Sequence, residues 1–205
     1  MTPTQTRQER ADRSRRAILD AATPVFAAEG YAGASLNRII ERAGLTKGGF
    51  YFHFPSKQAL ALSVVADHQQ RWFAEVLSET STLESAVERL FATPRIIARM
   101  ATEGRGPDEL RQLIDELARD PHLRDEVCGT LRTWVAVVAD QFVEAQREGA
   151  IRADLDPHEL AEVAVGGLTG LRVMTEQLAD GGLVRRVDAL IGVVRLATLA
   201  PSERR

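Results

Sequence analysis

Apolar residues recur at helical spacing along almost the whole chain, and no stretch alternates apolar with polar residues as a half-buried strand does. The first apolar face comprises Ile18, Leu19, Ala22, Val25 and Phe26. Gly30 stands where this helix is expected to end, and Pro24 predicts a kink inside it. The spacing as a whole predicts an all-α fold of about nine helices.

Capping residues mark where the next helices begin and end. Ser35 and Gly44 enclose a short second helix. Thr46 opens a third helix that ends before Pro55, because the residue preceding a proline avoids helical geometry. Ser56 then opens a long fourth helix. Two short helices followed by a long one are therefore predicted near the N-terminus.

The remaining helices are predicted from capping boxes, prolines and glycine pairs. STLE at 81–84 predicts the start of the fifth helix, and residues 108–118 form the sixth. The seventh occupies 120–149, and DPHE at 156–159 opens the eighth with a proline at its first helical position. The ninth helix follows the glycine pair at 181–182 and is expected to end near Pro201.

The stretch TKGGFYFHFPSK, residues 46–57, concentrates features that are rare elsewhere in the chain. It holds both lysines of the protein, and four of the five residues from 50 to 54 are aromatic. With the helix before it, joined by AGL at 43–45, it makes a helix-turn-helix, whose second helix enters the DNA major groove. We expect the glycines to let DNA approach the backbone, and Phe50, Phe52 and Phe54 to anchor the helix.

Charge is distributed unevenly along the chain. Residues 1–58 carry nine Lys and Arg against five Asp and Glu, whereas residues 59–205 carry seventeen against twenty-four. A basic segment on an acidic body is typical of a separate module that faces phosphates. The arginines before and within the first helix are either a DNA-contacting arm or a frayed tail; they are Arg7, Arg10, Arg13, Arg15 and Arg16.

The segment GYAGASLNRIIERAGLTKGGFYFHFPSKQAL resembles the DNA-binding domain of the tetracycline-repressor (TetR) family of bacterial regulators. The Thr-Lys-Gly, Tyr-Phe-His-Phe and Ser-Lys elements stand at the family's spacing, and the resemblance covers residues 13–62. It implies a helix-turn-helix DNA-binding domain at 1–58 and a ligand-binding and dimerisation domain at 59–205. The DNA-facing positions that it implies are Ser35, Thr46, Lys47, Gly48, Tyr51, His53 and Lys57.

The chain departs from the family pattern at one place in the recognition helix. Gly49 and Phe50 stand where Ala-Leu is common, so the bases that the helix reads are not carried over from the family. We add Gly49 to the DNA-facing positions because a residue without a side chain lets the backbone approach DNA closely.

The last two predicted helices are rich in small and branched apolar residues. Gly166, Gly167 and Gly170 lie inside the eighth helix, where each glycine costs about 1 kcal/mol relative to alanine. Close approach of another helix would compensate for this cost. The resemblance implies that these helices pair with their copies in a homodimer, and the alternative is ordinary packing within one chain. A symmetric dimer predicts a pseudo-palindromic operator.

The pattern FYFHFPSK…DHQQRW, followed by a later tryptophan, resembles the γ-butyrolactone-receptor subgroup, which controls antibiotic production in filamentous actinomycetes. This resemblance implies a lactone, butenolide or furan-type inducer. It places Trp134 in the wall of the ligand pocket, with His68 on the fourth helix and Thr169 on the eighth as further ligand-binding residues. The alternative for Trp134 is a place in the packed core.

These features predict a dimeric repressor of transcription that leaves operator DNA when a small hydrophobic signal binds. The alternatives are a xenobiotic-sensing repressor of an efflux operon, a receptor that has lost ligand binding, and an all-helical enzyme or binding protein. We expect no catalytic site, cofactor or metal, since the four histidines lack metal-ligand spacing and Cys128 is the single cysteine. A polar N-terminus and the absence of a long apolar run predict a cytoplasmic protein without membrane association.

Overall fold

The computed structural model describes residues 3–200, with the side chains of 3–6, 107, 108 and 130 left out, and these residues form nine α-helices. The prediction of an all-α fold is confirmed. In chain order the helices are α1 (Pro3–Gly33), α2 (Leu36–Arg42), α3 (Lys47–His53), α4 (Lys57–Thr80), α5 (Ala86–Thr102), α6 (Arg111–Ala118), α7 (Pro121–Arg147), α8 (Pro157–Leu178) and α9 (Leu183–Thr198). A 3-10 turn at Pro107–Leu110 precedes α6.

Residues up to 71, together with 107–128, form a first compact unit. Buried apolar side chains of α1 to α4, α6 and the first part of α7 make up its core; the large ones include Phe26, Phe50, Leu60, Leu113 and Leu117. The predicted domain boundary at 58/59 does not coincide with the edge of this unit. It divides the chain by function and stays a prediction.

The helix-turn-helix begins and ends at the predicted caps. The hydroxyl of Ser35 accepts a hydrogen bond from the N–H of Arg38 at 3.4 Å, and that of Thr46 accepts from the N–H of Gly49 at 3.1 Å. Gly44 follows α2 with φ +66°, a conformation that glycine adopts without the strain that a Cβ would cause. Local hydrogen bonds therefore define both short helices.

The break in α1 lies at Gly30, where φ is +65° and ψ is −172°, and not at Pro24. The backbone keeps helical dihedral angles through Pro24, so the position predicted for a distortion is corrected. Gly30 does end the long helical run, as expected, and one further turn follows it up to Gly33.

Residues 72–106 and 129–205 make up the second compact unit. Within it α9 packs against both α5 and α8, and the buried core includes Phe91, Ile97, Phe142, Val165 and Val187. The helix α9 ends at Thr198, and Pro201 lies outside the described residues. Although α8 and α9 are apolar, no helix within residues 3–200 has the length and hydropathy needed to cross a membrane.

The predicted start of α5 at STLE is wrong. The helix begins at Ala86, and the hydroxyl of Ser81 donates to the carbonyl of Ser78 in the preceding turn. The carboxylate of Glu148, at the end of α7, accepts hydrogen bonds from the N–H of Ala86 at 3.2 Å and from the hydroxyl of Ser85 at 3.4 Å. A residue distant in sequence thus caps α5, so the local capping box is not used.

The start of α8 follows the local prediction. Asp156 accepts hydrogen bonds from the N–H groups of His158 and Glu159, both at 2.9 Å, and Pro157 occupies the first helical position. A proline is tolerated there because its missing N–H would have no partner inside the helix.

Candidate functional site

The first turn of α3 is exposed and includes several of the positions that the sequence predicts to face DNA. Thr46, Lys47 and Gly48 are exposed, and Tyr51 exposes 53% of its surface. Phe50 is fully buried in the core of the first unit. The helix is therefore held by a buried ring while its polar tips stay in solvent, available to a partner.

Phe52 does not anchor α3, contrary to the prediction. It exposes 73% of its surface, and its ring meets the edge of the His53 ring with centroids 5.0 Å apart. Residues two positions apart lie on opposite sides of a helix, so Phe52 cannot share the buried side with Phe50. It instead adds an aromatic surface beside Tyr51.

The two glycines of α3 differ in their surroundings. A Cβ at Gly48 would have the Thr46 hydroxyl as its nearest neighbour at 4.0 Å, so nothing in the described chain demands a glycine there. A Cβ at Gly49 would lie 3.4 Å from that hydroxyl and 3.9 Å from Leu45. Ser35, at the start of α2, is exposed. All these positions leave backbone or hydroxyl groups accessible.

Lys57, at the start of α4, is less free than predicted. Its ammonium lies 4.9 Å from the ring centroid of Tyr31, within range of a cation–π interaction. Burial lowers the pKa of Lys57, and the nearby carboxylate of Glu116 opposes this shift. The charge is thus tethered to one position, which suits a contact with a phosphate at a defined place.

A groove of about 350 Å³ runs between the first turns of α1 and the end of α3. Arg7 and Arg10 line it together with Phe52 and His53. This arrangement brings His53 next to two of the arginines whose role the sequence left open. Two other arginines of that group are exposed but make contacts within the unit: the guanidinium of Arg15 lies over the Phe54 ring at 5.2 Å, and Arg16 pairs with Asp67 at 2.8 Å.

An apolar cavity of about 30 Å³ lies in the second unit. Its walls come from α5, α7 and α8: Leu90, Thr93, Pro94, Ile97, Trp134, Val138, Gln141, Ala164, Val165 and Leu168. The volume accommodates about two water molecules and is far below the roughly 300–1,000 Å³ of typical ligand sites. A ligand must therefore displace wall side chains to enter.

Trp134 lines this cavity and is also part of the core, so the two predicted roles coexist. It exposes 6% of its surface, and its ring lies 4.9 Å from that of Phe73 and 5.6 Å from that of Trp72. The three rings form an aromatic cluster, defined here as Trp72, Phe73 and Trp134. Movement of the tryptophan into or out of the cavity would disturb this cluster.

The other two predicted ligand residues are not among those that line the cavity. Thr169 is exposed, and its hydroxyl donates to the carbonyl of Val165 at 2.8 Å, one helical turn earlier. His68 belongs to the first unit, where its Nδ1 lies 3.7 Å from Glu109. Its Nε2 is buried without a hydrogen-bond partner among the described residues.

Sequence reasoning missed Gln141 as a wall residue. Its side-chain oxygen Oε1 is buried and has no hydrogen-bond partner among the described residues. The other polar wall residue, Thr93, donates its hydroxyl to the carbonyl of Arg89 at 2.7 Å. A buried acceptor without a partner is costly, so a ligand that donates a hydrogen bond to Gln141 would remove this cost. Its seven-residue offset from Trp134, two helical turns, was the available signal.

The helices α8 and α9 carry exposed apolar side chains, and five of them, which expose between 38% and 73% of their surface, define the exposed apolar face. They are Val163, Met174, Leu178, Val193 and Leu196. A Cβ at Gly166, Gly170 or Gly192 would meet nothing within 4 Å, whereas one at Gly167 would lie 3.2 Å from Leu190 of α9. Gly167 therefore serves packing within one chain.

Charged and sulfur-bearing side chains form no metal-binding group in the part of the chain that the structure describes, taking three His, Cys, Asp or Glu as the minimum. Cys128 is partly buried on α7 and carries a free thiol.

Two family models match the chain. Residues 18–64 match the bacterial regulatory proteins of the tetR family, and residues 95–191 match the tetracyclin repressor-like C-terminal domain. The first match covers α2 and α3 with parts of α1 and α4, and the second covers α6 to α8 with the second half of α5 and the first half of α9.

Individual relatives agree with these matches. The A-factor receptor protein of Streptomyces griseus is 32% identical over 179 residues, which cover 86% of this chain and 59% of that protein. The transcriptional repressor DhaR of Mycobacterium sp. strain GP1 is 32% identical over 92% of this chain and 94% of its own length. A solved γ-butyrolactone receptor, an ArpA-like protein, superimposes with a TM-score of 0.66 at 25% identity, covering 95% of this chain and 92% of that one.

Proposed function

The chain belongs to the tetR family of bacterial transcriptional regulators, and we propose that it is a homodimeric repressor that a small hydrophobic signal releases from a pseudo-palindromic operator. The signal class that we propose is a γ-butyrolactone, butenolide or furan carrying a hydroxyl group. The observation that carries this proposal is the apolar cavity with the unpartnered oxygen of Gln141, in a chain similar to the A-factor receptor.

Operator binding is assigned to the exposed surface around α3. Lys47, Tyr51 and the tethered Lys57 offer donors to phosphates and base edges, and Ser35 and Thr46 offer hydroxyls. Arg7 and Arg10 flank His53 in the adjoining groove and would extend the contact along the DNA backbone. The net positive charge of residues 1–58 supports this assignment, because phosphate contacts supply much of the affinity for DNA.

Signal binding is assigned to the cavity of the second unit. A short alkyl chain would occupy the apolar walls, and a hydroxyl would donate to Gln141 Oε1. Because the cavity is small in the present structure, the ligand would displace the ring of Trp134 or its neighbours, and the aromatic cluster would rearrange. Thr169 and His68 stay predictions, and neither lines the cavity as it stands.

The homodimer is assigned to the exposed apolar face of α8 and α9. Five partly or largely exposed apolar side chains lie on these two adjacent helices, and burying them against a second copy would be favourable. The open space at Gly166, Gly170 and Gly192 would let a second copy approach the backbone closely. Four helices, two from each copy, would then bury this face.

The test begins with DNA that the wild-type protein selects from a random-sequence library. Fluorescence anisotropy then measures release of this DNA by a synthetic hydroxyalkyl γ-butyrolactone and, in parallel, by the lipophilic cation ethidium. Release by the lactone and not by ethidium is the expected result. Release by ethidium alone would contradict the proposed signal class and indicate a regulator of xenobiotic efflux.

A substitution in the cavity wall tests whether the lactone releases DNA by binding in the cavity. Gln141→Leu removes the hydrogen-bond acceptor but keeps side-chain bulk, so the lactone should release DNA at about tenfold higher concentration, the worth of one hydrogen bond. The free protein should be no less stable, since an unpartnered buried acceptor has been removed. An unchanged lactone response would remove Gln141 from the site.

A further inference from the structure

Glu116 of α6 connects that helix to the junction between α1 and α2, 84 residues away in sequence. Its Oε2 accepts hydrogen bonds from the backbone N–H of Tyr31 at 2.7 Å and of Ala32 at 3.0 Å. Its Oε1 accepts a third, from the side-chain amide of Gln112 at 2.9 Å. We define Gln112, Glu116, Tyr31 and Ala32 as the junction clamp.

The clamp exists because α1 breaks at Gly30. The positive φ of Gly30 ends the helical hydrogen bonding, and the turn that follows begins with N–H groups that need an acceptor from elsewhere. Glu116 supplies that acceptor, as a capping side chain normally does from the residue before a helix. The same carboxylate leaves no room for a side chain at position 30. A Cβ there would overlap it and would lie 2.6 Å from Gln112 Nε2.

The clamped residues lead directly to the surface assigned to DNA. Ala32 lies three residues before Ser35, which caps α2. The ring of Tyr31 stacks on Phe26, with centroids 6.5 Å apart, and carries the ammonium of Lys57 on its face. The position of Tyr31 therefore affects both the entry into the helix-turn-helix and the location of one predicted phosphate contact.

Electrostatics favour the ionised carboxylate at this place. The hydrogen bonds from Gln112 and from the N–H groups of Ala32 and Tyr31 lower the pKa of Glu116 below its usual value. The carboxylate also opposes the lowering of the Lys57 pKa by burial.

We propose that Glu116 is a positioning residue for operator binding: α6 sets the geometry of the α1–α2 junction, and through it the placement of Ser35 and Lys57. It touches no DNA itself. The proposal rests on the proposed operator binding by α3, and it adds a determinant that lies outside the helix-turn-helix. Removing the Glu116 carboxylate by substitution lowers operator affinity although every side chain assigned to DNA contact is still present.

The experiment compares Glu116→Ala, Glu116→Asp and Glu116→Gln with the wild type on DNA that the wild type has selected from a random-sequence library. Glutamine keeps an acceptor oxygen at the same reach, whereas aspartate keeps the charge but is one methylene shorter. Asp115→Ala, at an exposed position next to Glu116, is the matched control. A stoichiometric titration first gives the fraction of each variant that is competent to bind, and affinity is then measured for that fraction.

The alanine and aspartate variants should bind DNA about tenfold more weakly, because they lose the hydrogen bonds that the carboxylate accepts from Tyr31 and Ala32. The glutamine variant and the control should stay within about threefold of the wild type. Hydrogen exchange at the Tyr31 and Ala32 amides should accelerate in the same two weakened variants. A purely structural role would change the competent fraction and the melting temperature but leave the affinity unchanged.

Equal affinity of the wild type and both weakened variants would overturn the proposal, and so would equal weakening of the glutamine and alanine variants. If Glu116→Ala does not fold, the proposal is tested by whether Glu116→Asp binds DNA more weakly than Glu116→Gln. A wild-type protein that selects no DNA would instead contradict operator binding itself, an outcome that is distinguishable because it precedes any variant.

Discussion

At the scale of single residues, the seven positions of α3 include a buried residue that holds the helix and exposed residues that are available to a partner. Phe50 is buried in the core, whereas Lys47, Tyr51 and Phe52 face solvent. Because the helix is short, its position depends on the buried rings and on the Thr46 cap rather than on its own length. Substitutions at the exposed tips should therefore alter DNA binding without altering the fold.

We expect Lys47→Ala and Tyr51→Phe each to weaken operator binding by roughly tenfold while the melting temperature changes little, since each removes one DNA contact from an exposed position. The slope of log affinity against log salt should fall by about 1 for the lysine variant, because one phosphate contact is lost. Arg147→Ala, which removes an exposed positive charge from α7, should leave both quantities unchanged. Wild-type affinity in either α3 variant would refute the role assigned to that residue.

To test Trp134 as a ligand contact, the substitution must keep the packing of its ring in the core, and alanine does not. Its ring packs on Trp72 and Phe73, so Trp134→Ala should destabilise the protein by about 3–5 kcal/mol, in the range for truncating a buried aromatic side chain.

Trp134→Phe keeps a ring in the aromatic cluster and should fold, dimerise and bind operator while responding more weakly to the lactone. Thermal unfolding and anisotropy with added lactone measure the two effects. A phenylalanine variant with a wild-type lactone response would place the tryptophan in the core alone.

At the scale of elements, α8 packs within the chain on one side and is exposed on the other. The buried side of α8 includes Ala161, Val165 and Leu168, and its Gly167 allows Leu190 of α9 to approach. The opposite side carries Val163 and the open position at Gly170. The glycines of α8 thus serve two contacts, one within the chain and one proposed between copies.

Gly170→Leu should therefore stabilise an isolated helix but destabilise the proposed dimer. In an isolated helix, replacing glycine stabilises by about 1 kcal/mol, whereas overpacking an interface costs about 1–3 kcal/mol. We expect the dimer to dissociate at higher protein concentration than the wild type, as measured by sedimentation. Gly129→Leu on α7, where a Cβ also meets nothing within 4 Å, is the matched control and should leave dimerisation unchanged. An intact Gly170→Leu dimer would move the interface elsewhere.

At the scale of the whole molecule, the proposed homodimer would bring two copies of the basic segment to DNA. Residues 1–58 carry a net positive charge and residues 59–205 a net negative charge. Both copies would have to reach the same face of the duplex, so the spacing of the half-sites should matter more than the sequence between them.

Inserting five base pairs between the half-sites of the selected DNA rotates one half-site by about half a turn, and inserting ten restores its face, given about 10.5 base pairs per turn. We expect the first insertion to reduce affinity strongly and the second to recover part of it. Gel shift on the three duplexes measures this, and equal affinity for all three would argue against simultaneous binding by two symmetric copies.

Several helix ends could be predicted from neighbouring residues alone. Ser35, Thr46 and Asp156 cap helices through hydrogen bonds that span two or three residues, and Gly44 adopts a backbone conformation that suits glycine. The exposure of the first turn of α3 followed from the same local order, and its role in DNA recognition stays a prediction. Phe52 was misplaced although the two-residue spacing in a helix already separates it from Phe50, because its aromatic character outweighed that geometry in the prediction.

Contacts between residues that are distant in sequence could not be predicted in this way. Glu148 caps α5 in place of the local capping box, and Glu116 closes the junction after Gly30. Gln141 became part of a cavity wall, and Gly167 came to face Leu190. In each case the partner comes from another helix, and which helices meet is settled by burial of their apolar faces. That choice depends on the packing of the whole unit, so no local pattern contains it.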